Sequence, residues 1–200
     1  MQIRKYVVDP LQNNDYLCYD EETKKAFLVD ASTDVQQIVD DIHKLGLELE
    51  YIILTHGHFD HINGVPFFQK AFPEAKLAAG KKEHRFLYER DFGRGPGGLI
   101  ADIQIVDGME LECGNIRLKF IETPGHSVGG ICILADKVLF SGDTLFQCSV
   151  GRSDFPTGNF DELMDSIKNK LFLLPDDTRV LPGHNDETTI GFEKRYNPFV

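Results

Sequence analysis

Apolar residues recur along this chain with two periods, and the period changes where the structure should change. Residues 2–8, 15–20 and 25–30 are short runs of β-formers separated by Asp9-Pro10, Asn13-Asn14 and Asp20-Glu21, which predicts a meander of strands. From Val35 the spacing becomes helical through Ile38, Val39, Ile42 and Leu45, with Thr33 and Gln36 as a capping-box pair and Gly46 as the stop. Tyr51-Ile52-Ile53-Leu54 predicts a buried strand that runs straight into a His-rich loop, followed by a helix over residues 62–72. A short strand at 76–79 and a polar helix at 81–90 precede Gly93-Arg94-Gly95-Pro96-Gly97-Gly98, which predicts a flexible loop. Strands are then expected at 102–106, 110–112, 116–122, 130–134 and 138–140, a last helix at 161–173, and a final strand at Arg179-Val180-Leu181. No repeat or linker divides residues 1–200, so one α+β domain is expected, a β-sandwich clad in helices.

Composition narrows the partners. The 200 residues carry 21 Lys and Arg against 32 Asp and Glu, a net charge of −11 with no basic block, so nucleic acid and anionic membranes would be repelled. No apolar run approaches the roughly 18 residues of a spanning helix, and the N-terminus lacks a signal-peptide core, so a cytoplasmic location is expected. Cys18, Cys113, Cys132 and Cys148 form no Cys-x-x-Cys pair and are expected to be mostly buried free thiols.

The chemistry concentrates at strand ends. Thr55-His56-Gly57-His58-Phe59-Asp60-His61 packs three imidazoles and a carboxylate into six positions, a density that points to a metal. Thr123-Pro124-Gly125-His126, Ser141-Gly142-Asp143-Thr144 and Leu181-Pro182-Gly183-His184 repeat one design, a ligand-type residue in a turn after a strand. His56, His58, Asp60, His61, His126, Asp143 and His184 together are too many ligands for one ion and enough for two, with Asp143 bridging. The donors are all nitrogen or oxygen, which suits zinc, manganese or iron. His43 falls on the polar side of its helix, and Lys81-Lys82-Glu83-His84-Arg85 reads as a solvated charged run.

These loops resemble the metallo-β-lactamase-fold superfamily. Gly142-Asp143-Thr144-Leu145-Phe146 and Gly151-Arg152-Ser153-Asp154-Phe155-Pro156 resemble its glyoxalase II branch, and Glu187-Thr188-Thr189-Ile190-Gly191 through Asn197-Pro198-Phe199 resembles the short bacterial hydrolases of that type. The resemblance implies a four-layer αββα sandwich with the site at one edge. It also implies one ion on His56, His58 and His126, a second on Asp60, His61 and His184, and Asp143 as the bridge, with Asp60 in addition a catalytic carboxylate. The implied activity is hydrolysis of a small-molecule thioester such as S-lactoylglutathione by a hydroxide held between two divalent ions, zinc by preference and iron or manganese otherwise. The chain lacks the C-terminal helical domain with which the full-size enzyme helps to hold glutathione, so a weak grip on the thiol half is expected. Cys148 stands where glycine is common and is expected to be a buried structural thiol close to the site.

Other readings compete. Gly125-His126-Ser127-Val128-Gly129 matches a nucleophile elbow, but the residues after it read as turn and strand where an elbow needs a helix. Gly93, Gly95 and Gly98 match a dinucleotide pattern that here follows a charged helix and contains Pro96. Persulfide dioxygenases resemble the same branch and use a single iron on two His and one carboxylate, which would be His56, His126 and Asp143. Lactones or other esters are alternative substrates, and a closed, non-catalytic metal site is a further alternative.

Overall fold

The structure is a computed structural model that describes residues 1–90 and 93–200. Strands β1 (Gln2–Val8), β2 (Asn13–Tyr19) and β3 (Lys25–Val29) pair antiparallel in succession, the meander that the alternation predicts. Helix α1 (Gln36–Leu45) leads to β4 (Glu48–Leu54), then to the short helices α2 (Phe59–Ile62) and α3 (Val65–Ala71) and to β5 (Lys76–Gly80). A 3-10 turn at Lys81–Glu83, α4 (His84–Tyr88) and β6 (Ile103–Ile105) complete the first half. β3 to β6 are mutually parallel and extend the meander into a six-stranded sheet ordered β1-β2-β3-β4-β5-β6.

The second half supplies β7 (Glu110–Cys113), β8 (Ile116–Glu122), β9 (Ile131–Ala135) and β10 (Val138–Gly142), then the two-stranded ribbon β11 (Leu145–Phe146) and β12 (Ser149–Val150). Helix α5 (Phe160–Asn169), β13 (Arg179–Pro182), β14 (Thr188–Thr189) and α6 (Ile190–Tyr196) follow. The second six-stranded sheet is ordered β14-β13-β10-β9-β8-β7. Among the described residues no helix is long and apolar enough to cross a membrane.

Period-two alternation makes the layers, because successive side chains on a strand face opposite sides. Leu28, Ile52, Leu54 and Leu77 point outward to meet Ile38, Val39 and Ile42 of α1 and Phe68 of α3. Phe27, Val29 and Ile53 point inward to meet Leu118, Phe120, Ile133 and Phe140 of the second sheet. The reverse face of that sheet buries Cys132, Leu139 and Val180 against Leu163 and Ile167 of α5. Three apolar layers between two sheets and the helices on their outer faces give the αββα sandwich. Phe140 lies at the centre, fully buried, with its ring 5.4 Å from that of Tyr16 and 6.2 Å from that of Phe27. Phe140→Ala should therefore cost about 3–5 kcal/mol of stability. The expected signature is a lower urea midpoint with an unchanged slope, and a loss below about 1 kcal/mol would contradict this packing.

Local details differ from the sequence expectation. Val35 and not Thr33 is the N-cap of α1, and no side chain caps it, so the capping box does not form. The helix expected over 62–72 is broken between α2 and α3, because Gly64 donates its N–H to the Ala31 carbonyl at 2.7 Å. A Cβ there would lie 2.2 Å from the Thr33 carbonyl oxygen. The helix expected over 161–173 ends at Asn169 and gives way to a 3-10 turn, and β14 and α6 follow the strand expected to be the last.

Candidate metal centre

Strand direction brings the ligand-type residues together. β8, β10 and β13 run the same way, since β8 and β10 are both antiparallel to β9 and β13 is parallel to β10. Their C-terminal ends therefore share one edge, which places His126, Asp143 and His184 side by side. β3 and β4 end at the corresponding edge of the first sheet with Asp30 and the His56–His61 loop, and the antiparallel β2 begins there with Asn13. The Thr55 carbonyl accepts the Ile131 N–H at 2.9 Å, and the Gly183 carbonyl accepts that of Asn14 at 2.7 Å, which ties the two edges.

All seven expected residues converge. His56, His58 and His126 form one cluster and Asp60, His61 and His184 another, each with its ligand atoms within 4.8 Å of one another. Asp143 stands between them, with Oδ2 at 3.5 Å from His126 Nε2 and 3.6 Å from His184 Nε2, and Oδ1 at 3.5 Å from His61 Nε2. It also joins His56 and His61 in a third cluster.

Hydrogen bonds aim the rings of His56, His61, His126 and His184 by occupying one nitrogen of each. His126 Nδ1 donates to the Arg152 carbonyl at 2.7 Å, and His184 Nδ1 donates to that of Leu11 at 3.2 Å. His61 Nδ1 donates to Asp30 Oδ2 at 2.8 Å, and Asp30 in turn accepts the N–H and hydroxyl of Thr55 at 2.8 and 2.9 Å. His56 Nδ1 lies 3.1 Å from the Thr55 hydroxyl oxygen. Asn13 Nδ2 donates to Asp60 Oδ2 at 3.2 Å and lies 3.3 Å from His61 Nε2.

Sequence reasoning missed the supporting residues Asn13, Asp30 and Thr55. Asn13 looked like a turn former, and Asp30 like the end of a strand. The signal available was a polar residue closing each of two apolar strands, Asp30 after Val29 and Thr55 after Leu54.

Burial sets the charges. It pushes the His56 imidazole well below its ordinary pKa, with the neighbouring imidazoles adding to the effect, and pushes His58 down to about 4. Burial also opposes a charge on His61, but Asp143 and Asp30 on either side raise its pKa well above the ordinary value. Burial works against ionisation of Asp143, yet His61 and the other imidazoles hold it at about 2. For Asp60, burial is outweighed by the hydrogen bond with His184, the charge of His61 and the hydrogen bond from Asn13, which hold it far below the usual carboxylate range. Both carboxylates are anions at neutral pH, beside two imidazoles already neutral.

A cleft of about 640 Å³ opens onto the site, lined by His58, Asp60 and Asp143 at its floor and by Phe59, Phe155 and Arg94 above. Arg94 belongs to the glycine-rich loop, which thus borders the cleft, and its guanidinium sits 4.9 Å from the centroid of the Phe59 ring. Ser127 is buried and β9 follows it, so the elbow reading fails. Cys18, Cys113 and Cys132 are buried free thiols, but Cys148 is exposed in a left-handed turn at φ 51°, which corrects the expectation of a buried thiol.

An αββα sandwich with a His and Asp cluster at one sheet edge defines a metal-dependent hydrolase fold with a divalent-cation site. The family model of the metallo-beta-lactamase superfamily matches residues 8–184, and the chain belongs to that superfamily. It is 33% identical to hydroxyacylglutathione hydrolase GloC of Haemophilus influenzae, over all of this chain and 98% of that protein. The crystal structure of BLEG-1 B3 metallo-beta-lactamase is similar with a TM-score of 0.91 at 34% identity, covering 99% of both chains. That of TTHA1623 in a di-iron-bound form is similar with a TM-score of 0.87 at 31% identity, covering 98% of this chain and 100% of that one.

Proposed function

We propose that this protein hydrolyses thioesters such as S-lactoylglutathione, using two divalent ions, zinc by preference. His56, His58 and His126 would hold one ion, Asp60, His61 and His184 the other, and Asp143 both. The observation that carries this reading is the pair of clusters flanking one carboxylate at the floor of an open cleft. The residues fit the ions: His58 Nε2 and Asp143 Oδ1 are buried without a hydrogen-bond partner among the described residues, and the donor set of imidazole and carboxylate suits zinc or iron. Bound divalent ions supply a hydroxide nucleophile at neutral pH and an electrophile for a carbonyl oxygen.

The chain's own groups do the rest. Asp60 is too acidic to keep a proton near pH 7, so its catalytic part is to orient a water by accepting its hydrogen bond. Phe59 and Phe155 offer an apolar wall to the acyl and thiol halves and exclude water from the carbonyl. A thiolate leaves without protonation, so no dedicated general acid is required. The similarity to GloC supports the thioester, and the similarity to BLEG-1 adds a β-lactam to the substrates worth testing.

The test is thiol release from S-lactoylglutathione and acyl-coenzyme A by metal-loaded protein, beside a lactone, a β-lactam and glutathione persulfide with an oxygen electrode. Turnover of the thioesters with two ions per chain is the expected result. Preferred cleavage of the lactone or β-lactam would overturn the substrate class. One iron per chain with brisk oxygen uptake would overturn the hydrolase itself.

A further inference from the structure

Glu83 sits in the charged run Lys81-Lys82-Glu83-His84-Arg85, yet it is fully buried. Its Oε2 accepts the Gly57 N–H at 2.8 Å, and its Oε1 accepts the Gly129 N–H at 2.7 Å. Gly57 separates His56 from His58, and Gly129 lies three residues beyond His126. One carboxylate therefore joins the two loops that carry the first cluster, and these loops come from different sheets. We propose that Glu83 is a positioning residue for a cation at His56, His58 and His126, clamping both ligand loops to the turn that follows β5.

The packing around the clamp is close. A Cβ at Gly57 would lie 2.9 Å from Glu83 Oε2 and 2.6 Å from the Phe86 Cβ, and one at Gly129 would lie 2.7 Å from the Glu83 nitrogen. A Cβ at Gly80 would lie 2.0 Å from the Gly129 carbonyl oxygen. Gly129 thus packs against the backbones of Gly80 and Glu83, and Gly57 against the side chains of Phe86 and Glu83, which holds both loops close about the carboxylate. Both oxygens accept from main chain, which fixes the loops in two directions and makes the bonds charge-assisted. Glutamine would keep one acceptor and set an NH₂ against the other N–H, and aspartate would keep the charge but fall a methylene short of spanning the gap.

This inference rests on the two-ion reading, and its test separates the two. Zinc affinity is measured for both ions by chelator competition, the visible spectrum is recorded with cobalt, and melting is followed in the metal-free protein. Glu83→Gln and Glu83→Asp should each weaken one of the two ions about 10- to 100-fold and alter its cobalt spectrum, while the other ion is retained. The control is Glu193→Gln. Glu193 is also buried and accepts from Thr188 Oγ1, the Cys148 N–H at 3.0 Å and Asn197 Nδ2 at 2.8 Å, none of which belongs to the clusters. It should lower the metal-free melting temperature comparably and leave both affinities intact. If wild type takes up two ions and a folded Glu83 variant binds both as tightly, or if Glu193→Gln loses the same affinity, the clamp is overturned. Wild type that takes up no ion would instead sink the metal reading beneath it.

Discussion

Asp143→Ala should lower kcat/KM for thioester hydrolysis at least about 10²-fold, close to 3 kcal/mol of transition-state stabilisation, and leave fewer than two ions per chain. Asp143 is the carboxylate whose oxygens reach His61, His126 and His184, all at 3.5–3.6 Å. Its removal takes a donor from both clusters and leaves the imidazoles without the anion at their centre, so each ion is held less tightly. Asp143→Asn keeps the shape and loses the charge, and should fall between wild type and Asp143→Ala in metal content. Metal analysis of the purified variants beside thiol-release kinetics reads both effects. Full metal content with more than about a third of the wild-type rate would remove Asp143 from the site, since each ion is worth more than that to the reaction.

The second expectation concerns acid. In the metal-free protein His61 is held protonated by Asp143 and Asp30 against its burial, and His184 is raised too, by its hydrogen bond to Asp60 and the charge of Asp143. His56 and His58 are pushed the other way and carry no proton at neutral pH. A cation entering the Asp60, His61 and His184 cluster must displace a proton that one entering the first cluster does not meet at His56 or His58. Proton and cation compete, so affinity at the second cluster rises with pH up to the raised imidazole pKa and is lost as pH falls. The expected loss is about tenfold per pH unit for each proton displaced. At the first cluster His56 and His58 add no such competition until pH approaches the His58 value of about 4. Zinc titrations between roughly pH 5 and 8 would show the second affinity falling more steeply with acid than the first, and two parallel losses would refute the assignment.

The strands of both sheets other than β14, helix α1 and the seven residues that converge at the sheet edge were legible in the sequence because their signals are local. A period of two or 3.6, or a histidine after a strand, can be read within a few residues. What was not legible depends on neighbours distant in the chain. Gly64 ends a helix only because the backbone of residues 31–33 passes against it. Glu83 reads as one more surface charge until β5 delivers it between Gly57 and Gly129. Asn13 becomes part of the site because β2 starts at the edge where β3 ends. Seven-residue α6, capped by the Thr189 hydroxyl, has too few apolar positions for a helical period to emerge.

The seam beneath the site has a mechanical corollary. His56, His58, Asp60 and His61 hang from one sheet, and His126, Asp143 and His184 from the other. A cation coordinated from both sides would cross-link chain positions as far apart as 60 and 184, closing a long loop in the way a disulfide does, but reversibly. Sliding or opening of the sandwich would then have to break coordination first. At an ion concentration a hundredfold above Kd the gain is about 2.7 kcal/mol. Metal supply would in this way govern the protein's lifetime against proteases as well as its turnover, with starved copies cleared and loaded copies spared.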